Sequence, residues 1–455
     1  MTNAARWTLR LAELADRAGV PGAVLGIWAD GEQSLTASGV LNTSTGVETT
    51  TDSLFQIGSI TKVWTATIIM QLIEERRLSL DATVAGLLPG TRVGGGDAGS
   101  QITLQHLLTH SSGLDGDIFT DTGRGDGCLR RYVEGLEHAS RAFPPGAAYS
   151  YCNSGFVLAG RVIEVLDGRS WDESLRDRLI GPLGLTRTFT LPEEAILHRV
   201  AVGHEQGEPV RTWGLPRCIG PAGLITASAQ DLLTFARTHL DGGVMPEGKR
   251  LLGQDSAMTM RRPRVPIPTF CETALAVGLG WRMSDWGGER IIGHDGNTIG
   301  QSAFLRVAPG SGVAVCLLTN SHHAQGLYQE LFSEVFESVA GLVMPPGPRP
   351  AGEAAARAAS AGIGRHAGRY ERTARRYDVT VAGGLLHATT TTTGSLGALI
   401  GPQPEELTLY PADATGVNFV CRSRGNDPWS SVTFGELADG TPHIFAGGRV
   451  APRTR

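Results

Sequence analysis

Lysine is almost missing from this chain. Lys62 and Lys249 are its only two, and arginine supplies the other 38 of its 40 basic residues. Where this sequence needs a lasting charge it uses a guanidinium, which keeps its proton near neutral pH; a buried amine can lose one. Paired cysteines are missing too. Cys128, Cys152, Cys218, Cys271, Cys316 and Cys421 are scattered with no CxxC spacing. That argues against a disulfide framework and against a zinc site, so no metal is expected. No stretch stays apolar for the roughly 20 residues a membrane helix needs. The N-terminal "MTNAARWTLRLAELADRAG" lacks the continuous apolar run of an export signal and reads as an amphipathic helix. The expected compartment is therefore the cytoplasm, with no membrane partner. A net charge of −5 and no basic stripe argue against nucleic acid as a partner.

What is present is an ordinary globular composition, 41% hydrophobic and 19% charged over 455 residues. That length suits two or three domains. A helix fits Ala5 to Ala18, and two strands follow, Gly22 to Asp30 and on to about Val40. An amphipathic helix is expected from about Ser59 to Arg77 and a short helical run over Thr103 to His110. The polar, glycine-rich stretch from Ser111 to Gly127 has little to bury and reads as a surface loop. A helix should start near Ser154, and another should follow Ser228, with Ser228 and Asp231 as its capping box. From Gly278 to Thr319 the period changes to strands, closed by a helix from Leu327 to Ala340. Both ends of this region feed one antiparallel sheet, with helices inserted between. Residues 344–367 read as a Pro- and Ala-rich linker. Residues 368–455 read as a small antiparallel β domain of barrel type.

Three short patterns carry the chemistry. Ser59-Ile60-Thr61-Lys62 opens the helix; Tyr151-Cys152-Asn153 lies ahead of another; His294-Asp295-Gly296 lies ahead of a strand. Singly, each has a plainer reading: a surface lysine, a packed aromatic beside a helix cap, a turn histidine. Three helical residues rise about 4.5 Å and turn nearly one circle, so Ser59 and Lys62 share a face. A serine hydroxyl needs a base to become a useful nucleophile. A lysine can be that base only if burial and nearby positive charge lower its pKa. Cys152 should point away from its neighbours in an extended segment and is not read as a nucleophile. His110 reads as a structural loop residue.

In this order the three patterns, with "LLTHSSGL" and "FPPGAAYSYCNSGFVLAG", resemble the serine β-lactamase and penicillin-binding-protein superfamily, above all its class C branch, over roughly residues 5–340. The resemblance implies an α+β fold, a class C β-lactamase/DD-peptidase-like antiparallel sheet with a helical domain, as a catalytic domain over residues 1–343. It implies Ser59 as nucleophile, Lys62 as its partner, Tyr151 as a second proton carrier, Asn153 on the lysine or the substrate amide, and His294 on the opposite wall. The oxyanion hole would use the Ser59 N–H and a second donor near Asn297; Gly296, Asn297, Trp213 and Trp281 are the expected substrate contacts. No cofactor is implied. The third motif departs from β-lactamases in opening with histidine in place of lysine, which offers a hydrogen bond where a cation would bind an acid. With the extra C-terminal β domain, of barrel or lipocalin type, the chain looks most like the penicillin-binding-protein-type thioesterases. These take a peptidyl thioester onto serine and release it by attack of the peptide's own amine. The implied partners are a peptidyl or acyl thioester or ester and a peptidyl carrier protein. An esterase, amidase or D-aminopeptidase that hydrolyses the same acyl-enzyme is the alternative, as is transfer to a separate acceptor. A non-enzymatic binding protein is the third reading.

Overall fold

The computed structural model describes residues 3–95, 98–270, 275–402, 404–423, 425 and 427–454. Cys271 lies outside them; the other five cysteines are buried free thiols. No helix among the described residues is long and apolar enough to cross a membrane, and no group of three His, Cys, Asp or Glu among them could hold a metal.

Helix α1 (Asn3–Ala18) leads into strands β1 (Gly22–Ala29) and β2 (Glu32–Asn42). After a 3-10 turn over Gly58–Ile60 comes helix α2 (Thr61–Glu74). Helices α3 (Asn153–Asp167) and α4 (Ala229–Leu240) follow. Then come strands β3 (Arg282–Trp286), β4 (Glu289–Thr298), β5 (Gln301–Ala308) and β6 (Val313–Thr319), and helix α5 (Gln325–Ala340). Chain ends meet in the sheet: β1 pairs antiparallel with β6, from Ala23 opposite Thr319 to Trp28 opposite Ala314. The order across it is β2-β1-β6-β5-β4-β3, extended at both edges by two-residue strands.

Alternation along these strands sends apolar side chains both ways. Val24, Cys316 and Leu318 join the larger core under α2, α3 and α4. Leu25, Ile27, Val315 and Leu317 face the other way, onto Trp7, Leu11, Leu331 and Phe332 of α1 and α5. The result is three layers, with both faces of the sheet covered.

Three expectations change here. The α2 segment reads as amphipathic, yet every residue from Thr61 to Met70 is buried. Its threonines make this possible by satisfying their hydroxyls: Thr67 Oγ1 donates within the helix to Val63 O (2.8 Å) and Thr65 Oγ1 donates across to Pro221 O (2.8 Å). A helix apolar on all sides belongs at a domain centre. The Ser111–Gly127 stretch is a surface loop only in its second half; Ser111–Leu114, Gly116 and Asp117 are buried. Ser228 Oγ does accept from the Asp231 N–H (3.2 Å), but the Asp231 carboxylate turns to Arg187 N and Thr188 Oγ1, so the capping box is half made.

Past a two-turn helix over Glu353–Ser360, eight short strands between Gly368 and Pro452 form a second antiparallel sheet in sequence order. A bridge from Tyr370 to Arg453 brings its first strand to its last, which nearly closes a barrel. A separate apolar cluster joins this barrel to the three-layered part of the chain. In it Leu437, Phe445 and Val450 pack on Phe143, Tyr149, Ile267 and Val277.

Trp64, on α2, stacks on Phe235 of α4 with ring centroids 3.9 Å apart. Phe235→Ala should cost about 3–5 kcal/mol. The check is a fall in the denaturation midpoint of the catalytic domain, with an unchanged slope.

Candidate active site

Ser59 sits half-buried in the 3-10 turn that starts α2. Two glycines let the end of β4 come down onto that turn. Gly58 has φ +51, and a Cβ there would lie 2.7 Å from Asn297 N. A Cβ on Gly296 would lie 1.8 Å from Ile57 O and 3.0 Å from Ser59 N. No other residue fits either position without moving the strand off the serine. β3 pairs with β4 only as far as Gly293 opposite Arg282. Beyond it, the outer edge of His294–Thr298 is free of β3 and faces the nucleophile. The Ser59 and Asn297 backbones are thereby neighbours. Asn297's side chain is turned away and accepts from Ser302 Oγ (2.9 Å).

Lys62 is wholly buried. Its Nζ is 3.1 Å from Ser59 Oγ, 2.8 Å from Asn153 Oδ1 and 2.6 Å from Ala222 O. The last two atoms can only accept. A neutral amine has two hydrogens and one lone pair, so donating to both acceptors leaves the lone pair for the Ser59 O–H. The electrostatics agree: burial, then the charge of Arg449, holds the Lys62 amine well below its ordinary pKa.

The amide of Asn153 can point its oxygen at Lys62 because its nitrogen is spoken for. Asn153 Nδ2 donates to Asp117 Oδ1 (2.7 Å), and a carboxylate only accepts. Asp117 is itself buried. Arg372 Nη1 (2.7 Å) and Arg449 Nε (2.5 Å) both reach its Oδ2. Burial alone would push this carboxyl up, but the two arginines outweigh it and hold it down at about 2. Both arginines belong to the C-terminal barrel.

Tyr151 closes the other side. Its ring stacks on His110 at 4.2 Å and carries the Arg449 guanidinium 4.7 Å above its centroid. Its backbone N–H donates to Gly448 O (2.9 Å), and Val450 N donates to Ser150 Oγ (3.1 Å). Burial pushes the phenol up, only partly opposed by the Ser59 hydroxyl and Arg449, so it holds its proton at neutral pH. Its hydroxyl makes no full hydrogen bond. His110 is more than a loop residue: it backs Tyr151, and its Nδ1 accepts from Cys152 N (3.0 Å). Cys152 is buried as the cap of α3, its Sγ accepting from Gly155 N (3.2 Å), and burial raises its thiol to about 12.

The structure thus gathers Ser59, Lys62, Tyr151, Asn153, His294, Gly296 and the Asn297 backbone. Trp281 is not with them; it is wholly buried in the core, edge-on to His239. Trp213 lines a cavity of about 570 Å³, with Gln56, Phe119, Leu215, Leu224 and the barrel's Leu399. Gln56 and Leu224 lead from it toward Ser59. Asp117, Arg372 and Arg449 carried no local sequence signal. Their meeting joins residues more than 250 positions apart, and only the folded barrel brings it about.

A family model described as Beta-lactamase matches residues 9–339. Penicillin-binding protein 4 of Amycolatopsis lactamdurans is 46% identical over 348 residues, which is 75% of this chain and 91% of that protein. Among solved structures, SurE superposes over 99% of both chains with a TM-score of 0.76 at 28% identity. SurE with D-Leu gives 0.74 at 27%, also over 99% of both chains. The D-amino acid amidase of Ochrobactrum anthropi SV3, complexed with L-phenylalanine, gives 0.63 at 25%, over 75% of this chain and 99% of the amidase.

Arg449 and Asp117 push the Lys62 amine in opposite directions, the first disfavouring its cation and the second favouring it. An amine takes a hydroxyl proton only when it is free, so the rate of covalent labelling at Ser59 should rise with pH through the Lys62 pKa. Arg449→Gln should move that rise to higher pH, and Asp117→Asn should move it to lower pH. Rates of covalent labelling across pH, for both variants, check the pair of shifts; shifts of the same sign would contradict it.

Proposed function

This chain belongs to the beta-lactamase family, and from that premise we propose that it is a serine acyl-enzyme acyltransferase acting on a peptidyl thioester. The family's chemistry is serine acyl transfer, to water or to another acceptor. One observation carries the proposal: Ser59 Oγ lies 3.1 Å from a wholly buried amine whose other two contacts are fixed acceptors. Lys62 takes the hydroxyl proton as Oγ attacks the thioester carbonyl. The Ser59 N–H, with a backbone donor from the 296–297 strand end, receives the oxyanion. The C–S bond then breaks. The thiolate takes the proton from Lys62, with Tyr151 as the relay, and the acyl group is left on Ser59 as an ester.

Release by an amine gives an amide, and attack by the peptide's own amine gives a ring. Two observations support this route over water. The barrel covers Tyr151 and so restricts solvent at the acyl ester. The third motif presents a buried neutral imidazole where a lysine would bind a carboxylate. The likeness to SurE, solved with D-Leu, over nearly the whole chain supports a D-residue at the acyl end. The carrier of the thioester is proposed to be a peptidyl carrier protein. The likeness to a D-amino acid amidase favours one competing reading, hydrolysis of the same acyl-enzyme.

Incubation with a peptidyl thioester that ends in a D-residue and carries a free amine should yield mainly the cyclic product. Mass spectrometry separates it from the linear acid by one water. Linear acid from every peptide tried would leave a hydrolase. Ser59→Ala should form no acyl adduct. Lys62→Arg should be nearly as inactive, because a guanidinium keeps its proton; turnover like wild-type in Lys62→Arg would remove the amine from the mechanism.

A further inference from the structure

His294 has two nitrogens in opposite surroundings. Nδ1 lies 2.7 Å from the Asp295 carbonyl oxygen. A carbonyl only accepts, so the ring's hydrogen is on Nδ1. The ring is 2% exposed, and its Nε2 is buried without a partner. Burial first, then a proton on Lys62 whenever it carries one and the charge of Arg282, holds the imidazole down at about 3, so no second proton is present at neutral pH. Nε2 is then a bare lone pair. The charged group next along the chain does not serve it: Asp295 is taken by Arg306 (2.6 Å) and Arg282 (3.6 Å). Facing it is Tyr151, with ring centroids 6.0 Å apart, and the Tyr151 hydroxyl, whose neighbour is the Ser59 hydroxyl, is also buried without a full hydrogen bond.

Buried polar atoms without partners are uncommon, and two on facing rings beside a nucleophile mark where a ligand's polar group belongs. A lysine at this position would present only donors and a charge. This histidine presents only an acceptor. We propose that His294 Nε2 receives an N–H of the incoming amine, so that the site selects a neutral primary amine as acyl acceptor and disfavours a carboxylate there. The proposal rests on the acyl-Ser59 reading above.

The geometry of the step follows. The amine gives one N–H to Nε2, which aims its lone pair at the acyl carbonyl. The C–N bond forms, and the C–Oγ bond to Ser59 breaks. The amine's other proton passes to Lys62 and from there to Ser59 Oγ, which restores the free enzyme and leaves an amide. Water can use the same acceptor, but it has no need of a site that refuses acids; the distinguishing quantity is the ratio of amide to acid.

The test uses the full chain, the N-acetylcysteamine thioester of N-acetyl-D-leucine, and two acceptors, glycinamide and D-alanine. Intact-mass spectrometry follows the acyl-Ser59 adduct, and product ratios report amide against acid. Wild-type should prefer glycinamide over D-alanine. In His294→Phe the amide-to-acid ratio with glycinamide, read per acyl-Ser59 adduct formed, should fall about tenfold, the worth of one hydrogen bond. His294→Gln keeps an acceptor oxygen and should recover part of that ratio, which also covers the case in which the phenylalanine variant fails to fold. His294→Lys should turn the preference toward D-alanine. An unchanged ratio in His294→Phe and no change of preference in His294→Lys, with the adduct present, would overturn the role of His294 alone. Absence of any adduct in wild-type would instead overturn the acyl-transfer reading, and this inference with it.

Discussion

The structure depends on keeping one amine dry and neutral. Lys62 sits where no water reaches it, and a lysine there is expensive: the folded chain holds its proton less tightly than the unfolded one does. Between the lowered folded pKa and the ordinary lysine value the unfolded state binds more protons, so stability rises with pH through that window and is reduced below it. Each unit of depression is worth about 1.4 kcal/mol. The fold offsets this with a close-packed helix around the amine. From Thr61 to Met70 nothing is exposed, and the aromatic stack of Trp64 on Phe235 secures the adjacent face of the same helix.

A neutral amine is useful only if its lone pair points at the serine, and direction is set at a distance. Asn153 Oδ1 faces Lys62 because Nδ2 faces Asp117; Asp117 stays ionised because Arg372 and Arg449 hold it. Breaking one partner out of a buried ion cluster costs about 3–5 kcal/mol, because it strands the others. The cluster and the apolar contact of Phe445 and Val450 thus join the barrel to the layers that hold Ser59 at two separate places. The same Arg449 that anchors the barrel covers the Tyr151 ring and disfavours charge on Lys62. Docking and electrostatics are one arrangement.

Short-range order explains what could be read from the sequence. Ser59 and Lys62 share a helix face by spacing alone, and the structure places their side-chain atoms 3.1 Å apart. The strand run from Gly278 to Thr319 follows from alternation and turns, and four strands of the sheet occupy it. The failures are where burial comes from another part of the chain. The stretch after His110 is polar and glycine-rich, which reads as surface. Its first half is instead pressed between α3 and the barrel: Ser154 N and Oγ both donate to Gly116 O, and Phe119 N donates to Ser395 Oγ. Trp281 looks in sequence no different from Trp213, yet one is wholly buried in the core and the other, on a loop, lines a cavity.

The scarcity of lysine then takes on a physical sense at the site itself. Five cationic side chains meet within this region: Arg372 and Arg449 on Asp117, Arg306 and Arg282 on Asp295, and Lys62 on Ser59. The arginines must keep their charge in a buried setting, and a guanidinium is easier to desolvate and does not titrate. The lysine must lose its charge in the same setting, with those arginines close by to discourage it. Exchanging the types would undo both: a lysine on Asp117 could shed the proton that holds the carboxylate, and an arginine beside Ser59 could never accept one. A site built from permanent cations around a single titratable amine lets the proton come off at one place only, next to the serine.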